Sequence, residues 1–195
     1  MQHKCTVTVI DKKLYPELQA QYCADKNSGM CPCYNVGDEF VFERYGAADD
    51  FWHIGLGTLR RTAGGHAAFA AGGQFPQCSE AWDAISRYIY TALQGGSIMH
   101  GWMADDRDMI ACCSDGTRPV IFRIRRNDYK VLYIDGLAGE DCMRSVRERL
   151  LQVPDVTEVA FRPEFTEVFV DRDVDDEALK AAVAECGTCR VTRID

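Results

Sequence analysis

The strongest constraint on this chain is the order in which hydrophobic periodicities follow one another after Lys130. Val131–Ile134 reads as a strand, Cys142–Leu151 as a helix, Thr157–Phe161 and Thr166–Val170 as two strands, Asp176–Cys186 as a helix and Arg190–Ile194 as a last strand. Written out, the order is β-α-β-β-α-β, and short connections leave the split, ferredoxin-like arrangement as the expected topology. Leu150, Leu151, Val153, Val156, Val168, Val170, Leu179 and Val183 are its expected core.

Upstream of that module the patterns are mixed. Cys5-Thr6-Val7-Thr8-Val9-Ile10 alternates with period two, which puts Cys5, Val7 and Val9 on one face of a strand. A short helix is expected over Pro16–Tyr22, with Leu18 and Tyr22 on its apolar side. A loop holding Cys31-Pro32-Cys33 follows, and then a strand at Phe40–Phe42. Residues 46–75 are rich in Gly and Ala and read as a long surface excursion with one short helix. Its Gly55-Leu56-Gly57 run lacks the third glycine of a dinucleotide loop. The longest helix is expected from Ser79, as N-cap, to about Gln94, with Gly95-Gly96 as the stop and Trp82, Ile85, Ile89, Ala92 and Leu93 as the apolar stripe. Met109–Cys113 and Val120–Arg126 pair as a hairpin around Asp115-Gly116. Cys112 and Cys113 are strand neighbours and point to opposite faces. The whole is α+β: a first domain over 1–127 with a hairpin and one main helix, carrying the 46–75 insertion, and a ferredoxin-like module over 128–195.

Charge removes one class of function. Residues 1–127 carry 13 Lys+Arg against 14 Asp+Glu, while residues 128–195 carry 9 against 16, so most of the net charge of -8 lies in the second module. A nucleic-acid binder needs a basic face, and none is expected here. No apolar run reaches membrane-span length, and Met1-Gln2-His3-Lys4-Cys5 has no signal-like apolar core, so a cytoplasmic protein with no membrane partner is the expectation. In that compartment the ten cysteines stay reduced and do not form a disulfide framework. Each is then a small core hydrophobe or a donor of soft sulfur.

Three stretches of the first half, Cys31-Pro32, Cys78-Ser79-Glu80-Ala81-Trp82 and Cys113-Ser114-Asp115-Gly116-Thr117-Arg118-Pro119-Val120-Ile121-Phe122, resemble an uncharacterised family of small bacterial and archaeal proteins. That family carries a Cys-Pro element after a short helix, a Cys-x-x-Ala-Trp helix start and a terminal Cys-(Ser or Thr)-Asp-Gly-x-Arg-Pro-Val-x-Phe. The resemblance covers about residues 4–45 and 76–127, and it implies that Cys31, Cys78 and Cys113 belong to one pattern. With Cys33 as a fourth donor they make a candidate thiolate site for zinc or iron. Cys78 sits just ahead of the main helix, where the macrodipole favours an anion, so it is also a candidate reactive thiol. Asp115 and Arg118 form a turn-bracing ion pair or an anion-binding position.

The second module resembles the heavy-metal-associated, copper-chaperone type of domain. The resemblance spans almost all of 130–195, through the turn at Val153–Val156 and the Val-Asp-x-x-x-Leu-x-x-x-Val run at Val174–Val183. That family holds a soft ion between two thiolates in Gly-Met-x-Cys-x-x-Cys, a donor set suited to Cu(I). Here the stretch is Gly136-Leu137-Ala138-Gly139-Glu140-Asp141-Cys142: the second thiol is Cys142, and Gly139 stands in place of the first. Cys186-Gly187-Thr188-Cys189 lies in the loop before the last strand, which the fold returns towards the start of the first helix. A site of Cys142 with Cys186 or Cys189 is therefore expected, as a metal site or a redox pair.

These readings leave three classes of function. The first is binding or sensing of a soft transition metal, Zn, Cu(I) or Fe, through thiols. The second is a structural or interaction module that has lost metal binding and self-associates as a homo-oligomer. The third is a small-molecule enzyme with a cysteine thiolate. No Ser-His-Asp set, carboxylate pair or phosphate loop points to a standard catalytic apparatus, and His53, His66 and His100 are isolated.

Overall fold

The computed structural model describes residues 1–43, 59–61 and 78–195. The expected 46–75 excursion, with His53 and His66, lies outside the described residues apart from Leu59–Arg61, which is a strand. The chain divides into two compact units, His3–Arg126 and Asn127–Asp195 with Met1–Gln2. No helix among the described residues is long and apolar enough to cross a membrane.

In the His3–Arg126 unit the elements are β1 (Gln2–Lys12), α1 (Pro16–Tyr22), β2 (Glu39–Glu43), β3 (Leu59–Arg61), α2 (Ser79–Leu93), β4 (Asp108–Cys112) and the first part of β5 (Val120–Asp135). The strands run β3-β2-β1-β5, and β4 also pairs with β5, in register Met109 to Ile124 and Cys112 to Ile121. The alternation in β1 buries Cys5, Val7 and Val9 completely, as expected. They meet Phe40 and Phe42 from β2 and the α2 stripe of Ala81, Ile85, Ile89, Ala92 and Leu93. Each such large side chain removed from water stabilises the unit by about 1.5–3 kcal/mol. Two expectations change. The residue capping α2 is Cys78, in extended conformation, and Ser79 is the first helical residue. In α1 the buried residue is Gln19, whereas Tyr22 is 72% exposed. Seven residues make too short a helix to bury an apolar stripe, and the polar Gln19 is used to tie down the loop that follows.

In the Asn127–Asp195 unit the second part of β5 is followed by α3 (Gly139–Leu150), β6 (Val156–Phe161), β7 (Thr166–Val170), α4 (Asp176–Ala184) and β8 (Arg190–Ile194). Expectation placed a separate strand at Val131–Ile134. Instead β5 is one strand of 16 residues, because nothing between Arg126 and Lys130 breaks its extended backbone. The strand order is β8-β5-β7-β6 and every pair is antiparallel, with Leu132 opposite both Ile194 and Thr166. This is the ferredoxin-like β-α-β-β-α-β fold. Val146 and Leu150 from α3 and Leu179 and Val183 from α4 pack onto Leu132, Val159, Val168 and Val191. Leu151, an expected core residue, is exposed because α3 ends at Leu150 and turns the next side chain outward.

Candidate functional site

The candidate site residues fall into two groups, one in each unit. In the Asn127–Asp195 unit, β5 ends at Asp135 and Gly136 turns the chain into the loop before α3. Gly136 has a φ of +82°, and a Cβ placed there would lie 2.5 Å from the Thr188 carbonyl oxygen. The absence of a side chain therefore lets the loop before β8 lie directly against the turn before α3. Two cysteines distant in sequence meet as a result. Cys142, in the first turn of α3, and Cys189, at the entry to β8, have their sulfurs 2.9 Å apart. The Gly136 carbonyl oxygen lies beside both, 3.7 Å from the Cys142 sulfur and 3.5 Å from the Cys189 sulfur.

Cys189 is buried, at 3% exposure, while Cys142 is half-buried. Burial above all, then the hydrogen bond with Cys142 and the nearby Cys142 and Cys186 sulfurs, pushes the Cys189 thiol up to about 11. Cys186 is also raised, chiefly by burial, and its thiol hydrogen-bonds back to the Ala182 carbonyl of α4 at 3.9 Å. Of the two cysteines in the Cys186–Cys189 loop, Cys189 is thus the one in contact with Cys142.

In the His3–Arg126 unit, the Cys31-Pro32-Cys33 loop is held from two sides. Lys12 Nζ donates to the Cys31 carbonyl at 2.7 Å and the Tyr34 carbonyl at 2.6 Å. The buried Gln19 amide donates to the Gly29 carbonyl and accepts from the Gly29 N–H, each at 3.0 Å. Burial, followed by the nearby Cys31 and Cys78 sulfurs, raises the Cys33 thiol. Cys31, Cys33 and Cys78 pack on the same apolar cluster that buries Cys113. Ser114 binds the Glu80 carbonyl through its N–H at 3.3 Å, which ties the end of β4 to the start of α2. Cys113 itself accepts from the Val120 N–H at 3.3 Å, and Cys112 is exposed.

Asp115 braces the β4–β5 turn by accepting from the Thr117 N–H and hydroxyl at 2.9 and 2.8 Å and from Arg118 Nε at 2.9 Å. Desolvation is the largest single effect on its carboxyl and acts upward, but these hydrogen bonds together hold it below the usual range. Away from both groups, His100 is exposed and paired with Asp106 at 2.8 Å. Among the described residues, no three Cys, His, Asp or Glu side chains are arranged to hold a metal ion together. What Cys142 and Cys189 offer as they stand is a pair of soft donors.

Sequence reasoning missed the residues that assemble the two groups, namely Lys12, Gln19 and Gly136. The first two act through backbone atoms far along the chain and leave no local pattern. Gly136 does leave one: a glycine directly after a strand, ahead of a helix, marks a backbone that must turn or be approached closely.

No family model and no curated protein sequence matches the chain. Among solved structures, the chain is similar to the yeast copper transporter domain Ccc2A, determined in solution in apo and Cu(I)-loaded states. The identity is 20%, the match covers 33% of this chain and 94% of that domain, and the TM-score is 0.30.

Proposed function

We propose that this chain binds a soft monovalent metal ion, of the Cu(I) type, as cargo between the Cys142 and Cys189 thiolates. The observation that carries the reading is the 2.9 Å contact between these two sulfurs, which come from opposite ends of the module's sequence. Two thiolates are the donor pair that a d10 monovalent ion accepts and that Mg, Ca or Mn refuses. Binding is an exchange of protons for the ion: each thiol gives up its proton, and the ion with two thiolates carries a net charge of minus one. Cys142 lies in the first turn of α3, where the positive end of the helix dipole favours that charge. Entry of the ion parts the sulfurs, and the half-buried Cys142 is the one with room to move.

The test is a Cu(I) titration of the anaerobic, fully reduced chain against a chromogenic Cu(I) chelator. One ion bound per chain, lost in both Cys142→Ser and Cys189→Ser but kept in Cys186→Ser, is the expected result. Equal binding by all three variants and the parent, or no binding by the parent, overturns the reading. A metal-free dimer with inert thiols would turn attention to an interaction role.

A further inference from the structure

We infer that Cys142 and Cys189 also close into a reversible disulfide, in which Cys142 meets a small-molecule disulfide of the glutathione class and Cys189 resolves the adduct. The bridge depends on the two sulfurs alone; its use, to exclude the soft ion, rests on the cargo reading above. The Asn127–Asp195 unit has three cysteines, and its geometry singles out this pair. The Cys142 and Cys189 sulfurs stand 2.9 Å apart, so a disulfide bond of about 2.05 Å needs them only about 0.9 Å closer. That shift is shorter than a single bond. The close approach at Gly136 already holds the loop entering β8 against the turn entering α3. Cys186 shares that loop, but its thiol is turned back on the Ala182 carbonyl at 3.9 Å.

Access divides the roles. Thiol–disulfide exchange proceeds by attack of a thiolate on a disulfide sulfur, and a buried thiol does not reach an external partner. Cys142 is half-buried on the edge of the module's core, whereas Cys189 lies within that core at 3% exposure. In the first step the Cys142 thiol gives its proton to water and its sulfur attacks oxidised glutathione. The glutathione S–S bond breaks, one glutathione leaves with the electron pair and takes up a proton, and the other stays on Cys142 as a mixed disulfide. In the second step the Cys189 thiol loses its proton, attacks the Cys142 sulfur and expels the second glutathione, which is protonated in turn. Two protein thiols are oxidised and one glutathione disulfide is reduced to two thiols. A bridged pair has no thiolate to offer, and the thiolate is the form that ligates a metal. Oxidation and ion binding therefore exclude each other at this site.

The reduced chain is equilibrated without oxygen in mixtures of oxidised and reduced glutathione, quenched with acid, alkylated and mapped by peptide mass spectrometry. The expected product joins the Cys142 and Cys189 peptides with the loss of two hydrogens, in the parent and in Cys186→Ser alike. Cys189→Ser should stop with one glutathione on Cys142. A bridge of Cys186 with Cys189, or Cys142 and Cys189 thiols that stay free at every ratio, overturns the inference. The parent's map gives that answer even if a variant fails to fold. A Cu(I)-chelator titration of the bridged chain, freed of glutathione, should count one ion fewer than the reduced chain, and reduction by a phosphine, since removed, should restore it. An unchanged count overturns the exclusion. If the reduced chain binds no Cu(I) and the bridge still forms, the cargo reading falls and the bridge stands. If Cys142 and Cys189 bind Cu(I) and no bridge forms, the cargo reading stands and the bridge falls.

Discussion

Replacing Gly136 by alanine probes the contact that assembles the Cys142–Cys189 pair without touching either sulfur. The new Cβ would stand 2.5 Å from the Thr188 oxygen, 3.1 Å from the Thr188 carbonyl carbon and 3.4 Å from the Cys189 Cα. All three are backbone atoms, so no side chain can swing aside. An L-residue at a φ of +82° costs about 1–2 kcal/mol and the overlap about 1–3 kcal/mol more, against which the stiffer unfolded chain returns about 0.4–1 kcal/mol. The expected net loss is about 1–5 kcal/mol, a large share of the stability of a small unit. Gly139→Ala is the control: its φ is +79°, but its added Cβ meets no atom within 4 Å beyond its own neighbouring backbone, so it carries the conformational cost alone. The three tryptophans lie in residues 52–102 and do not report on this unit. Hydrogen exchange at the Leu150 and Val183 amides, in its core, does. Gly136→Ala should speed that exchange well beyond Gly139→Ala and weaken Cu(I) binding at least tenfold, since relief of the overlap moves Cys189. Equal exchange in the two variants, with unchanged Cu(I) affinity, would refute the claim that this close approach builds the site.

Two further outcomes follow from the same geometry. The Cys189 thiol keeps its proton up to about pH 11, so ion binding must expel it, and the apparent Cu(I) affinity should rise about tenfold per pH unit from this group alone. Calorimetry in two buffers of different ionisation enthalpy counts the protons released, and a pH-independent affinity between pH 6 and 9 would contradict the assignment. Gln19→Leu leaves the N–H and C=O of Gly29 without their partners, at a cost of about 1–3 kcal/mol. Hydrogen exchange at the Gly29 amide should accelerate at least tenfold. Unchanged exchange would remove Gln19 from its clamping role.

How much of this was legible in the sequence depends on whether the information is local. The β-α-β-β-α-β order was legible because each element announces itself within a few residues, as Val168 and Val170 do on β7 and Leu179 and Val183 do on α4. The opposite burial of Cys112 and Cys113 came from strand alternation alone. The length of β5 was not legible, since Asn127-Asp128-Tyr129-Lys130 looks like a break between apolar runs. Its polar side chains are satisfied by tertiary partners: Lys130, 8% exposed, reaches Asp176 at 2.6 Å and Asp173 at 3.1 Å. Polar residues with distant partners defeat pattern reading, and Gln19 is a second case.

The same distinction governs the site. A motif search weighs cysteines by their spacing along the chain, and by that measure Gly139 removes one donor from the module. The fold weighs them by position, and the loop entering β8 lies against the turn entering α3, so Cys189 stands beside Cys142 although 47 residues separate them. On the proposed reading, Cys189 supplies the second soft ligand from another loop, which changes what holds the pair. With both thiols on one helix turn, local helix geometry sets their separation. With one on α3 and the other at the β8 entry, the separation depends on packing at Gly136. The donor pair is therefore tied to the folding of its unit. A perturbation that loosens that packing should release the ion before the helices unfold.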